Sequence, residues 1–246
     1  MSRIRASTIR LAATLAALGL LTGVTCLLWY PGTYFTISGA RGLVLIIVAV
    51  NLVLGPGLTA LIFKPGKWGL TVDVAVIAAV ELCALLWAAH VIYDRRPYYT
   101  VFAVDRFEVV TRAEVDVSDL ADEVLRQRPG HTPRLVYAEL PTDPKRREQL
   151  IDDVIFRGLA DIDRRPEFWK PYAEGVMTVK AAAKPVLQLL NVGDVRETSI
   201  RRWLSRQSGD PRDYQYLPLR GRTSDAMMII HADIGYPIDI IDVDPW

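Results

Sequence analysis

Apolar residues fall in three long runs before position 93 and in short periodic groups after it. Residues 9–29, 42–63 and 70–92 each give the roughly 20 residues that a helix needs to cross a hydrocarbon core about 30 Å thick. Only a helix, with every backbone amide paired internally, or a closed barrel tolerates that environment. The runs therefore predict three transmembrane helices in a membrane domain of residues 1–92.

From position 93 the pattern changes. Tyr99 to Val110 alternates apolar and polar residues as one strand, and Arg134 to Leu140 reads as another, ended by Pro141. Ser118 is the candidate cap of a short helix through Arg126. Asp143 followed by Pro144 predicts a helix to about Leu159, with Leu150, Val154 and Ile155 on its buried side. Pro166, Pro171 and Pro185 among aromatic residues predict a loop-rich stretch with at most short helices. A helix over Val195 to Gln207 and strands over Tyr214–Arg220, Ala226–Ala232 and Ile238–Val243 complete an α+β domain, residues 93–246, with a mainly antiparallel sheet.

Composition sharpens this division. Of 29 basic and 28 acidic residues, six and two lie in residues 1–92, leaving 23 and 26 for a normally charged second domain. That balance, with no long basic run, argues against nucleic acid as a partner. Both cysteines, Cys26 and Cys83, fall inside apolar runs, so their number says nothing of redox compartment. The first run is long for a cleaved signal peptide, and Gly23 stands where a lipoprotein signal before Cys26 would carry a large aliphatic residue. It is read as an uncleaved anchor.

Short-loop charge orients the spans, because Lys and Arg stay on the cytoplasmic side. Arg3, Arg5, Arg10, Lys64 and Lys67 mark one side against Arg41 on the other, so the amino terminus is expected in the cytoplasm and the second domain outside. Trp29, Tyr30, Tyr34, Phe35, Tyr93, Tyr98 and Tyr99 are expected near the outer interface and Trp68 near the inner one.

A charge at mid-bilayer costs about 2.5 to 3.5 kcal/mol on insertion scales. Glu81 is such a charge, and Asn51 lies at similar depth in the neighbouring span, so a hydrogen bond between them is expected. Either this pair joins two helices of the chain, or Glu81 or Asn51 offers a polar contact to the transmembrane helix of another protein. A proton or ion pathway is the least favoured reading, since one acid and one amide are too few for a relay. Gly55, Pro56 and Gly57 predict a kink with close backbone approach, which makes Asn51, Gly55, Pro56 and Glu81 the candidate partner-helix contacts.

Catalytic signals are weak. Asp161 with Asp163, and Asp242 with Asp244, have the spacing of metal-binding acids, but such pairs are ordinary on solvent faces. His90, His131 and His231 are far apart, and neither a phosphate-binding glycine loop nor a nucleophile elbow occurs. No catalytic, cofactor or metal residues are assigned.

Several phrases, in order, resemble the type IV pilin accessory protein family (TfpX/TfpZ-like), bacterial inner-membrane proteins that assist assembly of particular pilins. They are Trp29-Tyr30-Pro31-Gly32, Leu52 to Pro56, Phe63 to Lys67, Val101 to Phe107, Leu217-Pro218-Leu219 and Asp242 to Trp246. The resemblance implies a chaperone-like role for a specific type IV pilin, with other inner-membrane assembly proteins as further partners and the second domain periplasmic. An acid commonly stands in the family where this chain has Asn51. The rival reading is a membrane-anchored enzyme acting on pilin or envelope glycan.

Overall fold

The computed structural model describes residues 3–62, 69–120, 122–127 and 130–246. The chain clusters into two compact units, Met1–Phe35 with Gly39–Arg95, and Thr36–Ser38 with Arg96–Trp246. Phe63 to Trp68, which include Lys64, Lys67 and Trp68, lie outside the described residues.

The first unit is helical. Helix α1 (Arg3–Val24) continues through a π-helical turn (Thr25–Trp29), and a short α2 (Tyr34–Ile37) follows. Helix α3 (Ala40–Leu52), a second π-helical turn (Val53–Gly57) and α4 (Leu58–Ile62) make one interrupted rod, and α5 (Leu70–Asp94) is the third. Within them Thr8–Trp29, Ala40–Leu61 and Val72–Asp94 are long and apolar enough to cross a membrane, within two residues of the boundaries read from the sequence. Only 17 to 22% of their most apolar windows is buried within the protein, so apolar side chains cover the outside as well, as lipid allows and water does not.

Both π turns have local causes. Thr25 donates its hydroxyl to the Leu21 carbonyl at 2.7 Å, competing for the acceptor of its own helical amide, and the Tyr30 amide then bonds five residues back to Thr25. Pro56 brings no amide, and the Leu58 amide reaches back to Val53. The expected kink is thus a widened turn. Tyr30, fully buried, donates its hydroxyl to the Ile92 carbonyl at 2.9 Å, satisfying one of the orphan acceptors at the end of α5. Trp29 stands edge-on to Tyr93 beside it.

The second unit is built on an eight-stranded mixed sheet. Its strands are β1 (Pro97–Ala103), β2 (Arg106–Thr111), β3 (Arg134–Ala138), β4 (Trp169–Pro171), β5 (Lys184–Pro185), β6 (Tyr214–Arg220), β7 (Asp225–His231) and β8 (Pro237–Ile241). They run in the order β4-β3-β1-β2-β6-β7-β8, with β5 paired to β6. Pairing is mainly antiparallel, with parallel joins between β1 and β3 and between β2 and β6. Helices α6 (Glu123–Arg126), α7 (Pro144–Arg157), α8 (Tyr172–Ala182) and α9 (Val195–Leu204) accompany the sheet. One core gathers Tyr99, Val101, Val136, Leu150 and Trp169, and another gathers Ile200, Trp203, Tyr214, Met227 and Ile229.

Several expectations are corrected. Tyr99 to Val110 is two strands, not one, because the chain reverses at Val104 and Asp105 into a tight hairpin. Tyr98 and Tyr99 belong to the buried core rather than an interface, and the Tyr99 hydroxyl bonds the Leu125 carbonyl at 2.9 Å. The helix expected from Ser118 is instead a short 3-10 turn capped by Asp116, followed by α6 capped by Asp122. The proline-rich stretch contains the regular helix α8, which Pro171 precedes rather than interrupts. Ile155 is exposed, and Asp153 takes the buried side of α7 that it was assigned.

Three residues of the loop between the first two long helices fold with this unit. Thr223, in the turn between β6 and β7, gives its amide to the Ile37 carbonyl at 2.9 Å, and its hydroxyl bonds the Ile37 and Thr36 carbonyls at 3.1 and 3.2 Å. A Cβ on Gly221 would collide with Ile37, so this close approach needs glycine.

Candidate functional site: a polar cluster inside the helical unit

Arg10 and Thr14, one turn apart, share a face of α1. Arg10 Nη2 meets Glu81 Oε2 of α5 at 2.5 Å, and the Thr14 hydroxyl donates to Glu81 Oε1 at 2.5 Å. The Glu81 side chain is 13% exposed. The acid is therefore held by a cation and a hydroxyl from the first helix, and the expected bond to Asn51 is not formed. Asn51 gives its amide to Ile47 O of its own helix at 2.9 Å, and its carboxamide oxygen is buried with no hydrogen-bond partner among the described residues. The same holds for Arg10 Nε.

Gly55 closes the cluster. A Cβ there would overlap the Glu81 carboxylate and the Thr14 hydroxyl, so only glycine lets the second rod approach so closely. The Gly55 carbonyl, within the π turn, accepts the buried Thr59 hydroxyl at 2.7 Å as well as the Leu58 amide. Between the helices, Arg10, Thr14, Asn51 and Glu81 with the small Ala13, Ala17 and Ala78 line a cavity of about 160 Å³. The side chains that line it include two with a buried polar atom that has no partner among the described residues, Arg10 and Asn51. In hydrocarbon such orphans cost several kcal/mol each.

Of the four residues singled out from sequence, Asn51 and Glu81 line this cavity, Gly55 packs on Glu81, and Pro56 shapes the turn that carries Gly55. Arg10 and Thr14 were missed, because Arg10 reads as a topological charge at a helix start. Their spacing of four, with Ala13 and Ala17 alongside, was the available signal.

The second unit has a groove of about 980 Å³ between α7 and β4. Its charges are largely matched among themselves. Asp153 receives Arg165 and Arg157 at 3.1 Å each, Arg165 Nε reaches Glu167 at 2.7 Å and stacks on Phe168, and Lys170 bonds Glu139 at 2.8 Å. Deeper in the unit, burial pushes the carboxyls of Glu108 and Asp163 above their usual range despite Arg106 beside Glu108 and Arg164 beside Asp163. Of the acid pairs noted in the sequence, Asp161, Asp163 and Asp244 are engaged in the fold, and Asp242 is exposed. Asp161 caps a turn at Ile162, and Asp244 accepts the Trp246 amide. Among the described residues no group of three or more His, Cys, Asp or Glu could hold a metal ion.

Three relatives align with the chain, each a fimbrial assembly protein of Dichelobacter nodosus. That of serogroup I is 27% identical over 225 residues, covering 89% of this chain and 86% of the relative. That of serogroup E1 is 25% identical over 215 residues, covering 85% and 83%. That of serogroups C1 and C2 is 30% identical over 112 residues, which are 45% of this chain and 84% of the relative. No family model matches the chain, and no solved structure does. With three membrane-length helices, a mixed-sheet domain and relatives aligned over most of its length, the chain belongs to the fimbrial assembly proteins, consistent with the type IV pilin accessory family.

Proposed function

We propose that this membrane protein assists assembly of one type IV pilin in the bacterial inner membrane as a chaperone-like partner rather than an enzyme. The observation that carries the reading is the alignment with fimbrial assembly proteins along helices and domain alike. The cavity lined by Arg10, Asn51 and Glu81 supplies the chemistry: a polar side chain on the apolar helix of a waiting pilin would find polar groups there inside an otherwise apolar bundle. Asn51, Gly55, Pro56 and Glu81 are the contacts of that helix in this reading, and the second unit meets the pilin's water-exposed part. Other inner-membrane assembly proteins would join the same encounter.

The amino terminus is cytoplasmic and the second unit periplasmic in this proposal, with residues 1–92 as the membrane domain and 93–246 as the outer one. Arg10 is occupied by Glu81, so its weight as a topological signal falls, yet Arg3, Arg5, Lys64 and Lys67 still face a lone Arg41. The bonds of Ile37 to Thr223 support the parity, since three crossings leave the first loop and the last domain on one side.

Deleting the gene tests the proposal. Surface pili should fall while pilin remains at its normal level in the membrane; normal piliation without the gene refutes it.

A further inference from the structure

Helix α7 is amphipathic but turned outward. Its start is fixed by Asp143, whose carboxylate accepts the Lys145 amide, and by Pro144 at the first helical position. Leu150 and Asp153 face inward, whereas Ile151, Ile155, Phe156 and Leu159 are 50, 66, 79 and 49% exposed. Ile151 and Ile155 lie one turn apart and Phe156 follows, with the acids Glu148 and Asp152 between them, so the outward side of α7 is a mixed apolar and acidic face. Leu159 stands just past the helix end at Gly158. Water-facing helices normally turn large apolar side chains inward, and a cluster of them left outside marks an interaction site.

The sheet edges are closed to a partner strand. At one end, β8 begins with Pro237, and its Ile240 amide is taken by the Asp239 carboxylate. At the other, β4 is three residues long, ends in Pro171 and gives its Trp169 amide to Pro166. Apolar contact is then offered by side chains outside the sheet edges, and α7 carries Phe156, the most exposed large apolar residue of the unit among the described residues.

Charge decides what covers it. At about 100° per residue, Glu148 and Asp152 project between Ile155 and Phe156. Both are exposed and have no ion-pair partner among the described residues. An anionic lipid surface would be repelled by them, since helices that lie on membranes border their apolar face with Lys and Arg. A second copy of this chain is disfavoured too: two-fold antiparallel pairing of α7 sets the central Asp152 against its own equivalent. The fitting partner is a protein surface with an apolar patch bordered by Lys or Arg.

We infer that the outward face of α7 docks such a patch on the water-exposed part of the pilus subunit, an inference that rests on the function proposed above. The test uses the full-length protein in its native membrane. Ile155→Ser with Phe156→Ser should lower co-purification of the pilus subunit at least about tenfold, because truncating central apolar anchors removes most of an interface's affinity. The thermal midpoint should not change, since both side chains are exposed. Glu148→Lys with Asp152→Lys should also weaken capture, and a photoreactive residue at Phe156 should crosslink to the subunit. Undiminished capture by the serine variant, or crosslinking to lipid or to a second copy, overturns the assignment while leaving the proposed function standing. Failure of the wild-type protein to capture the subunit overturns both.

Discussion

Glu81 shows how one side chain sets the demands on its neighbours. Removing its cation should be worse than removing the pair, because a lone carboxylate would remain in a low-dielectric bundle. Arg10→Leu is expected to lower stability by about 3 to 5 kcal/mol, and adding Glu81→Gln should restore most of the loss, read as thermal midpoints in detergent. The hazard of Glu81 is legible in the sequence as a charge in an apolar run, whereas its partner is not. Matching depth pointed to Asn51, and only the rotation of α1 about its axis brings Arg10 and Thr14 to the acid. Glu108 makes the converse case in the second unit. Burial raises its carboxyl pKa above the unfolded value, so the folded form takes up its proton at higher pH than the unfolded chain. Its contribution is fully present below the unfolded pKa and is lost as pH rises through the folded one. Glu108→Gln should therefore raise the midpoint of the second unit at pH 7 and gain little in the acidic range where the wild type is already protonated. A gain that instead grows with falling pH would contradict this sign.

At the scale of elements, boundaries with local chemistry were readable and those imposed by tertiary contacts were not. Asp143 and Pro144 announce the start of α7, and Asp143→Ala should cost about 1 kcal/mol of stability by chemical denaturation. The phase of the same helix was misjudged at Ile155 because an apolar side chain pointing outward breaks the usual rule. The β1–β2 hairpin was hidden for a related reason. Its reversal uses Val104 at φ 59°, a left-handed conformation that β-branched residues rarely adopt, so no Gly, Asn or Pro signals the turn. All seven residues of β1 are buried, so the alternation read across the hairpin does not mark a wet face there. Val104→Asn should relieve the turn and stabilise the second unit by about 1 kcal/mol, a gain visible as a higher denaturation midpoint. Pro171 misled in the other direction: a proline in front of a helix fixes its first turn, and α8 follows at once.

The whole molecule brings together segments that no local pattern connects. The parallel joins of β1 with β3 and β2 with β6 mix a sheet that alternation alone reads as mainly antiparallel. Thr36–Ser38 is separated from Thr223 by more than 180 residues, yet folds with the β6–β7 turn. Ile37 is fully buried there, against Gly221 and the Thr223 bonds, so the loop between two long helices contributes part of the core of the second unit. The consequence is a stability that depends on chain outside residues 96–246. Thr223→Ala removes a hydroxyl that bonds two backbone carbonyls, a loss of about 1 kcal/mol at the usual net worth of a hydrogen bond. In the full-length protein its thermal midpoint should drop accordingly. In an excised fragment of residues 96–246 those carbonyls are absent, the hydroxyl has only water to replace them, and the same substitution should leave the midpoint almost unchanged. Equal losses in both forms would mean that Thr223 stabilises the turn by itself and that the loop is merely its neighbour.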